Sequence, residues 1–316
     1  MRKKIPIVYS KHYDIGLAGM ERLHPFDTRK HGKVFRQLGE KLGIGGREIY
    51  TPTMATEAEL LSVHTPRYLA SLRRSYNVAF IAELPLLAFV PNALLQKRVL
   101  VPMRYATKGT MLGAELAFEY GWAINLSGGY HHAKADSGGG FCFFADVPIA
   151  LYALFEKRPE LSVLIVDLDA HQGNGNEAVF KDDPRVRIFD IYNEAIYPQD
   201  DEAKRYIAFD HPVPVSTGDG AYLSLLEKEL PEAIENVRPG LIVFIAGTDV
   251  LEGDFLGMLR LSEAGVIKRD AIVFTNALEK EIPILMLLGG GYTKKSAPVI
   301  AESIENIVQM VHKERR

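Results

Sequence analysis

The sequence predicts an α/β fold: an open parallel sheet sandwiched by helices. Three features predict it. Short apolar runs recur without polar alternation, the mark of strands buried on both faces. Helical patterns fill the intervals between them. Five of the runs end where polar residues and glycines begin, as expected at the edge of a parallel sheet where ligands bind.

The runs, in order, are Ile5 to Val8, Trp122 to Leu126, Val163 to Val166, Val186 to Phe189, Leu241 to Ala246 and Ile282 to Leu288. Helices are expected over Thr107 to Tyr120, Ala145 to Phe155, Ala221 to Glu235 and Ala297 to His312. In the last, Ile300, Ile304, Ile307, Val308 and Val311 fall on one stripe, and Ser296 is placed to cap it. The segment Asn77 to Pro102, with Leu84, Pro85, Leu86, Leu87, Phe89 and Val90, reads either as a lid or rim loop or as an irregular core segment.

At 316 residues the chain is long enough for a large core, and 47% apolar with 24% charged residues places it among globular enzymes rather than disordered chains. A net charge of -3 argues against a dedicated nucleic-acid binder. The basic ends, Arg2 to Lys4 and Lys313 to Arg316, read as solvated tails. A single cysteine, Cys142, rules out an intramolecular disulfide, and the run Ile5 to Tyr9 is too short for a signal peptide or membrane span. A reducing cytoplasm is the expected compartment; oligomeric state is open.

Chemistry concentrates at the run ends. Leu164-Ile165-Val166-Asp167-Leu168-Asp169-Ala170-His171 alternates so that Asp167, Asp169 and His171 emerge on one side. Ionised carboxylates are costly to desolvate without a cation or donors, so a divalent metal is the simplest explanation. Asp249, after the Leu241 to Ala246 run, would complete a three-ligand set with Asp169 and His171, open on its remaining positions. Two Asp and one His accept zinc or ferrous iron.

His131 and His132 follow Gly128-Gly129-Tyr130, where glycines permit a sharp turn. Partnered by Asp167 and Asn174, they could move protons, and the carboxylate partner should make one more readily protonated than the other. Tyr292, after Gly289-Gly290-Gly291, could donate to a developing oxyanion. Gly138-Gly139-Gly140-Phe141 lets backbone approach a ligand, with Phe141 lining a channel; Phe143, Phe144 and Cys142 read as packing. No Gly-x-Ser-x-Gly elbow, P-loop or Gly-x-Gly-x-x-Gly at the first strand is present.

Gly129-Tyr130-His131-His132, Gly140-Phe141-Cys142, Asp167 to Gly175, Gly247-Thr248-Asp249 and Gly289 to Tyr292 together resemble, in order, the motifs of the arginase/deacetylase superfamily, and within it the zinc-dependent histone deacetylases. Ile7 to Ser10, Leu23 to Asp27, Gly121 to Asn125, Ile191 to Asn193 and Leu251 to Asp254 resemble the class IV branch. The resemblance implies one catalytic domain over residues 1–316 with the arginase/deacetylase fold. It implies Asp169, His171 and Asp249 as zinc ligands, and His131 and His132 as the acid–base pair, oriented by Asp167 and Asn174. Tyr292 would be the oxyanion donor, and Gly140, Phe141 and Tyr197 would be walls of an acyl-lysine tunnel. It also implies a potassium ion near the Asp167, Asp169 and His171 backbone. Gly173 and Leu251 stand where arginases carry the carboxylates for a second metal, and Asn174 and Gln172 stand where many relatives have Asp and His.

The implied activity is removal of acetyl or long fatty acyl groups from lysine in a protein or peptide. The alternatives are a small-molecule amidase acting on acetylated polyamines, with Glu83 as the acidic group at the mouth, and a non-enzymatic acyl-lysine binding protein.

Overall fold

In the computed structural model, which describes residues 5–17 and 19–314, seven strands form a single parallel sheet in the order β1-β2-β7-β6-β3-β4-β5. Arg2 to Lys4 and Arg315 to Arg316, from the basic ends expected to be solvated tails, lie outside the described residues. The strands are β1 (Ile7–Val8), β2 (Trp122–Asn125), β3 (Val163–Asp167), β4 (Val186–Asn193), β5 (Phe209–Val213), β6 (Leu241–Ile245) and β7 (Ile284–Leu287). Every pairing is parallel; in register, Val166 stands opposite Phe189 and Phe244, and Ile124 opposite Met286.

Alternate strand residues feed separate cores on the two faces. Leu164, Val166, Ile242, Phe244 and Met286 pack against helices Lys30–Leu42, Asp219–Val237, Glu263–Glu279 and Ser296–Glu314. Ile165, Val243, Ile245 and Leu285 pack against Val101–Tyr120 and Asp146–Lys157. The central strands are therefore apolar throughout, as a sheet covered on both sides requires. Six apolar runs were legible in sequence; β5 was not, because its burial alternates and Pro212 interrupts it, both tolerated on an edge strand.

Several expected boundaries shift. β4 continues to Asn193, so Asp190 lies inside the strand rather than at its end. The first strand shortens to Ile7–Val8, and Ser296 is the first helical residue rather than the cap before it. Asn77 to Pro102 is neither a loop nor wholly irregular. It runs from helix Ser75–Ile81 through a 3-10 turn, Pro85–Phe89, and a short helix, Asn92–Leu95, into a π turn, Gln96–Leu100. Pro102 has no N–H to offer the preceding turn, which fits a π turn at that point. Leu87, Leu95 and Val99 enter a third core with Phe143 and Phe144, while Phe80, Leu86 and Phe89 face outward.

Phe244→Ala, in the middle of the sheet, should cost about 3–5 kcal/mol, whereas Phe89→Ser should stay within about 0.5 kcal/mol. Denaturant midpoints measure both.

Candidate metal centre and acid–base pair

The four middle strands, β2, β7, β6 and β3, are adjacent, so the loops leaving their carboxyl ends meet. Asp169 and His171 follow β3, Asp249 follows β6, the two histidines follow β2 and Tyr292 follows β7.

Asp169, His171 and Asp249 converge with donor atoms within 4.8 Å of one another, all three buried, the one such group found among the described residues. His171 Nδ1 lies 3.1 Å from Asp169 Oδ1 and 2.9 Å from Asp249 Oδ2. Backbone aims the carboxylates: Gly290 N–H donates to Asp169 Oδ2 at 2.7 Å and Ala170 N–H to Asp249 Oδ1 at 2.9 Å. Burial raises Asp249, and the neighbouring charge of Asp169 adds to it, to about 7. Burial opposes protonation of His171, but its bonds to both carboxylates hold it up at about 10. Two carboxylates drawn into one buried volume, with a soft imidazole beside them, form a donor set that fits a divalent ion.

The two histidines differ in their partners. His131 Nδ1–H donates to Asp167 Oδ2 at 2.8 Å, and its Nε2 lies 3.7 Å from Asp169 Oδ1. Burial pulls His131 down, but the charges of Asp167 and Asp169 outweigh it and hold it at about 9. His132 Nδ1–H donates to Asn174 Oδ1 at 2.9 Å, leaving Nε2 as an acceptor. Burial, then the charges of His131 and His171, push His132 well below the usual imidazole range. The two imidazoles are shifted in opposite directions, His131 toward its charged form and His132 toward its neutral one.

Their turn is fixed by close approach. Gly175 N–H donates to His131 O at 2.7 Å, and a Cβ there would lie 2.5 Å from the same oxygen. Gly140, at φ +51°, presses against the His132 ring, where a Cβ would stand 2.4 Å from Cδ2. Phe141 and Tyr292 form the inner walls with rings 5.9 Å apart, and Tyr292 stands 6.0 Å edge-on to His171. Burial and the charges of Asp249 and Asp169 push the Tyr292 hydroxyl well above its usual value, so it stays a donor. Tyr197 meets His132 edge-on at 5.0 Å, but lines a neighbouring groove with Gly138 to Gly140 rather than the cavity that holds His131, His132 and Tyr292. Cys142 is buried with its thiol pushed up by burial, consistent with packing.

Sequence reading missed the supports. Buried Lys30 donates to Gly289 O at 3.0 Å and Gly290 O at 2.8 Å, and sits 4.6 Å over Phe26. Burial lowers it to about 8 against the pull of Asp249 and Asp169. Asp146 accepts from Gly129 and Tyr130 N–H at 3.0 and 2.8 Å, holding the loop before the histidines. Behind Asp167, burial pushes Glu177 up to about 8 and Asp190 well above the usual range. Nothing in local pattern links Lys30 to residues some 260 positions away.

The sheet and its gathered edge thus define an α/β protein with a candidate metal centre flanked by two buried histidines. Residues 24–309 match the histone deacetylase domain family. Histone deacetylase 2 of Arabidopsis thaliana is 47% identical over 304 residues, 96% of this chain and 79% of the relative. An uncharacterised Picosynechococcus protein is 31% identical over 92% of each chain. The crystal structure of the HDA15 HD domain matches at TM-score 0.74 and 19% identity, covering 98% of this chain and 89% of the other, a likeness of fold alone. The chain belongs to the histone deacetylase family.

Asp249→Ala should lose most of the affinity for a single divalent ion in equilibrium dialysis, with the sheet intact by circular dichroism. Gly140→Ala, by displacing His132, should cut turnover of an acyl-lysine peptide roughly a hundredfold while metal content stays unchanged.

Proposed function

We propose that this protein is a single-domain hydrolase that removes acyl groups from lysine side chains, using Asp169, His171 and Asp249 to hold zinc. The observation that carries the reading is the buried Asp–His–Asp group beside two histidines with different partners, the Asp167 carboxylate for His131 and the Asn174 amide for His132. A bound divalent cation supplies Lewis-acid polarisation of the amide carbonyl and makes water more acidic. His132, neutral and with Nε2 free, takes the proton of the attacking water. His131, kept as imidazolium by Asp167, offsets the negative charge developing beside it, and the Tyr292 hydroxyl donates to the tetrahedral oxyanion. His132 then returns its proton to the lysine nitrogen as the C–N bond breaks, giving a carboxylate and a free amine.

We infer class IV character as well, with long-chain acyl groups among the substrates. An apolar cleft lined by Ile15, Leu17, Leu84, Leu87 and Val99 shares Phe26, Met103 and Phe141 with the catalytic cavity, room of the right chemistry for an alkyl chain. A potassium ion near the backbone of Asp167, Asp169 and His171 is assigned with it. The polyamine alternative is favoured by one observation, Glu83 at the outer mouth. Relative turnover of acetyl-, octanoyl- and myristoyl-lysine peptides against N-acetylputrescine tests these readings. Preference for the long acyl chains supports the class IV assignment, preference for acetyl-lysine contradicts it, and preference for the polyamine overturns the lysine reading.

Tyr292→Phe should lower kcat by roughly 100- to 1000-fold with metal content unchanged. Because the charge of Asp167 helps hold His131 up at about 9, activity should fall as pH rises through that value. Asp167→Asn removes that support, so the alkaline limb of the kcat/KM profile should move to lower pH.

A further inference from the structure

We propose that the groove outside the tunnel mouth is a subsite for a bulky apolar side chain of the substrate polypeptide, within two residues of the acyl-lysine. The inference rests on the acyl-lysine reading above.

The groove is an open cavity of about 760 Å³ lined by Tyr76, Phe80, Glu83, Phe89, Gly140 and Tyr197 among others. Tyr76 is 70% exposed, Phe80 69% and Phe89 88%. Scattered exposed aromatics are ordinary, but three on one cavity mark an interaction surface. Tyr76 and Phe80 are four residues apart on helix Ser75–Ile81, hence on one face, while Val78 and Ile81 of the same helix enter the core. Phe89 ends a turn whose Leu87 is buried. The aromatics are therefore carried by packed elements. Phe141 N–H donates to Ile81 O at 3.1 Å, tying this helix to the tunnel wall.

Continuity names the occupant. Gly140 borders both the groove and the catalytic cavity, and Tyr197 stands against His132. A lysine whose acyl amide reaches His132 and Tyr292 leaves its α-carbon at the mouth. An extended chain advances roughly 3.3–3.6 Å per residue, so neighbours one or two residues away come to lie over the groove. Apolar walls favour an apolar side chain there, and the Glu83 carboxylate opposes an acidic residue or an anionic lipid headgroup.

The test uses wild type and the Phe80→Ser/Phe89→Ser double variant, with five acyl-lysine peptides: an all-Ser flank, and Phe placed singly at each of the four positions nearest the lysine. A blocked acyl-lysine amide without flanks reports whether the tunnel is intact. For wild type, at least one Phe position should raise kcat/KM about tenfold, mainly through KM. The double variant should lose that preference, and Phe80→Leu/Phe89→Leu should regain it. Equal turnover of all five peptides by wild type, or a preference that survives the double variant, overturns the proposal. So does Phe80- and Phe89-dependent sedimentation with phosphatidylserine vesicles without peptide preference, which would make the surface a lipid contact. Absence of turnover on the blocked amide removes the acyl-lysine reading itself, and the subsite with it.

Discussion

Everything at the carboxyl edge of the sheet depends on two carboxylates, Asp169 and Asp249, meeting where water is excluded. Burying unpaired ions costs several kcal/mol each, and the fold meets that demand through backbone donors and His171 rather than surface ion pairs. The adjacency of β3 and β6 brings the two loops together, and glycines allow the approach. A Cβ at Gly247 would stand 2.2 Å from Asp169 Oδ2, and one at Gly290 2.4 Å from Asp249 Oδ2. A donor set this compact has an evident use in holding a cation.

A second constraint follows from the first. His131 and His132 lie beside concentrated negative charge, which by itself would raise both imidazoles. His131 is held up by the charges of its partner Asp167 and of Asp169, whereas His132, bonded to the amide of Asn174, is pushed down by burial and by the charges of His131 and His171. Asn174 is itself held by Asp200, which Lys134 neutralises. Adjacent residues of the same type are thereby shifted in opposite directions, the asymmetry that the proposed hydrolysis uses.

Much of this was legible in the sequence because parallel strands put chemistry at their ends. The runs ending at Leu126, Val166, Ala246 and Leu288 locate the four loops that converge, and alternation through the end of β3 and the turn after it brings Asp167 and Asp169 to the same histidine, His131. What could not be read was anything whose partner lies far along the chain or whose element lacks apolar pattern. Lys30 is an unremarkable residue until the fold sets it beneath Gly289 and Gly290. β5 hides because an edge strand tolerates polar residues and proline. Asn77 to Pro102 left two readings open because its helices are short and each buries only part of its apolar residues, Phe80, Leu86, Phe89 and Leu94 being exposed.

Metal dependence is read most simply by titrating chelator-treated protein with zinc while following release of the acyl group from a lysine peptide. Turnover should be negligible without metal and rise linearly with added zinc until a single ion per chain is bound. Full turnover in metal-free protein, or saturation only at a second ion, would overturn the assignment of Asp169, His171 and Asp249 to one catalytic ion.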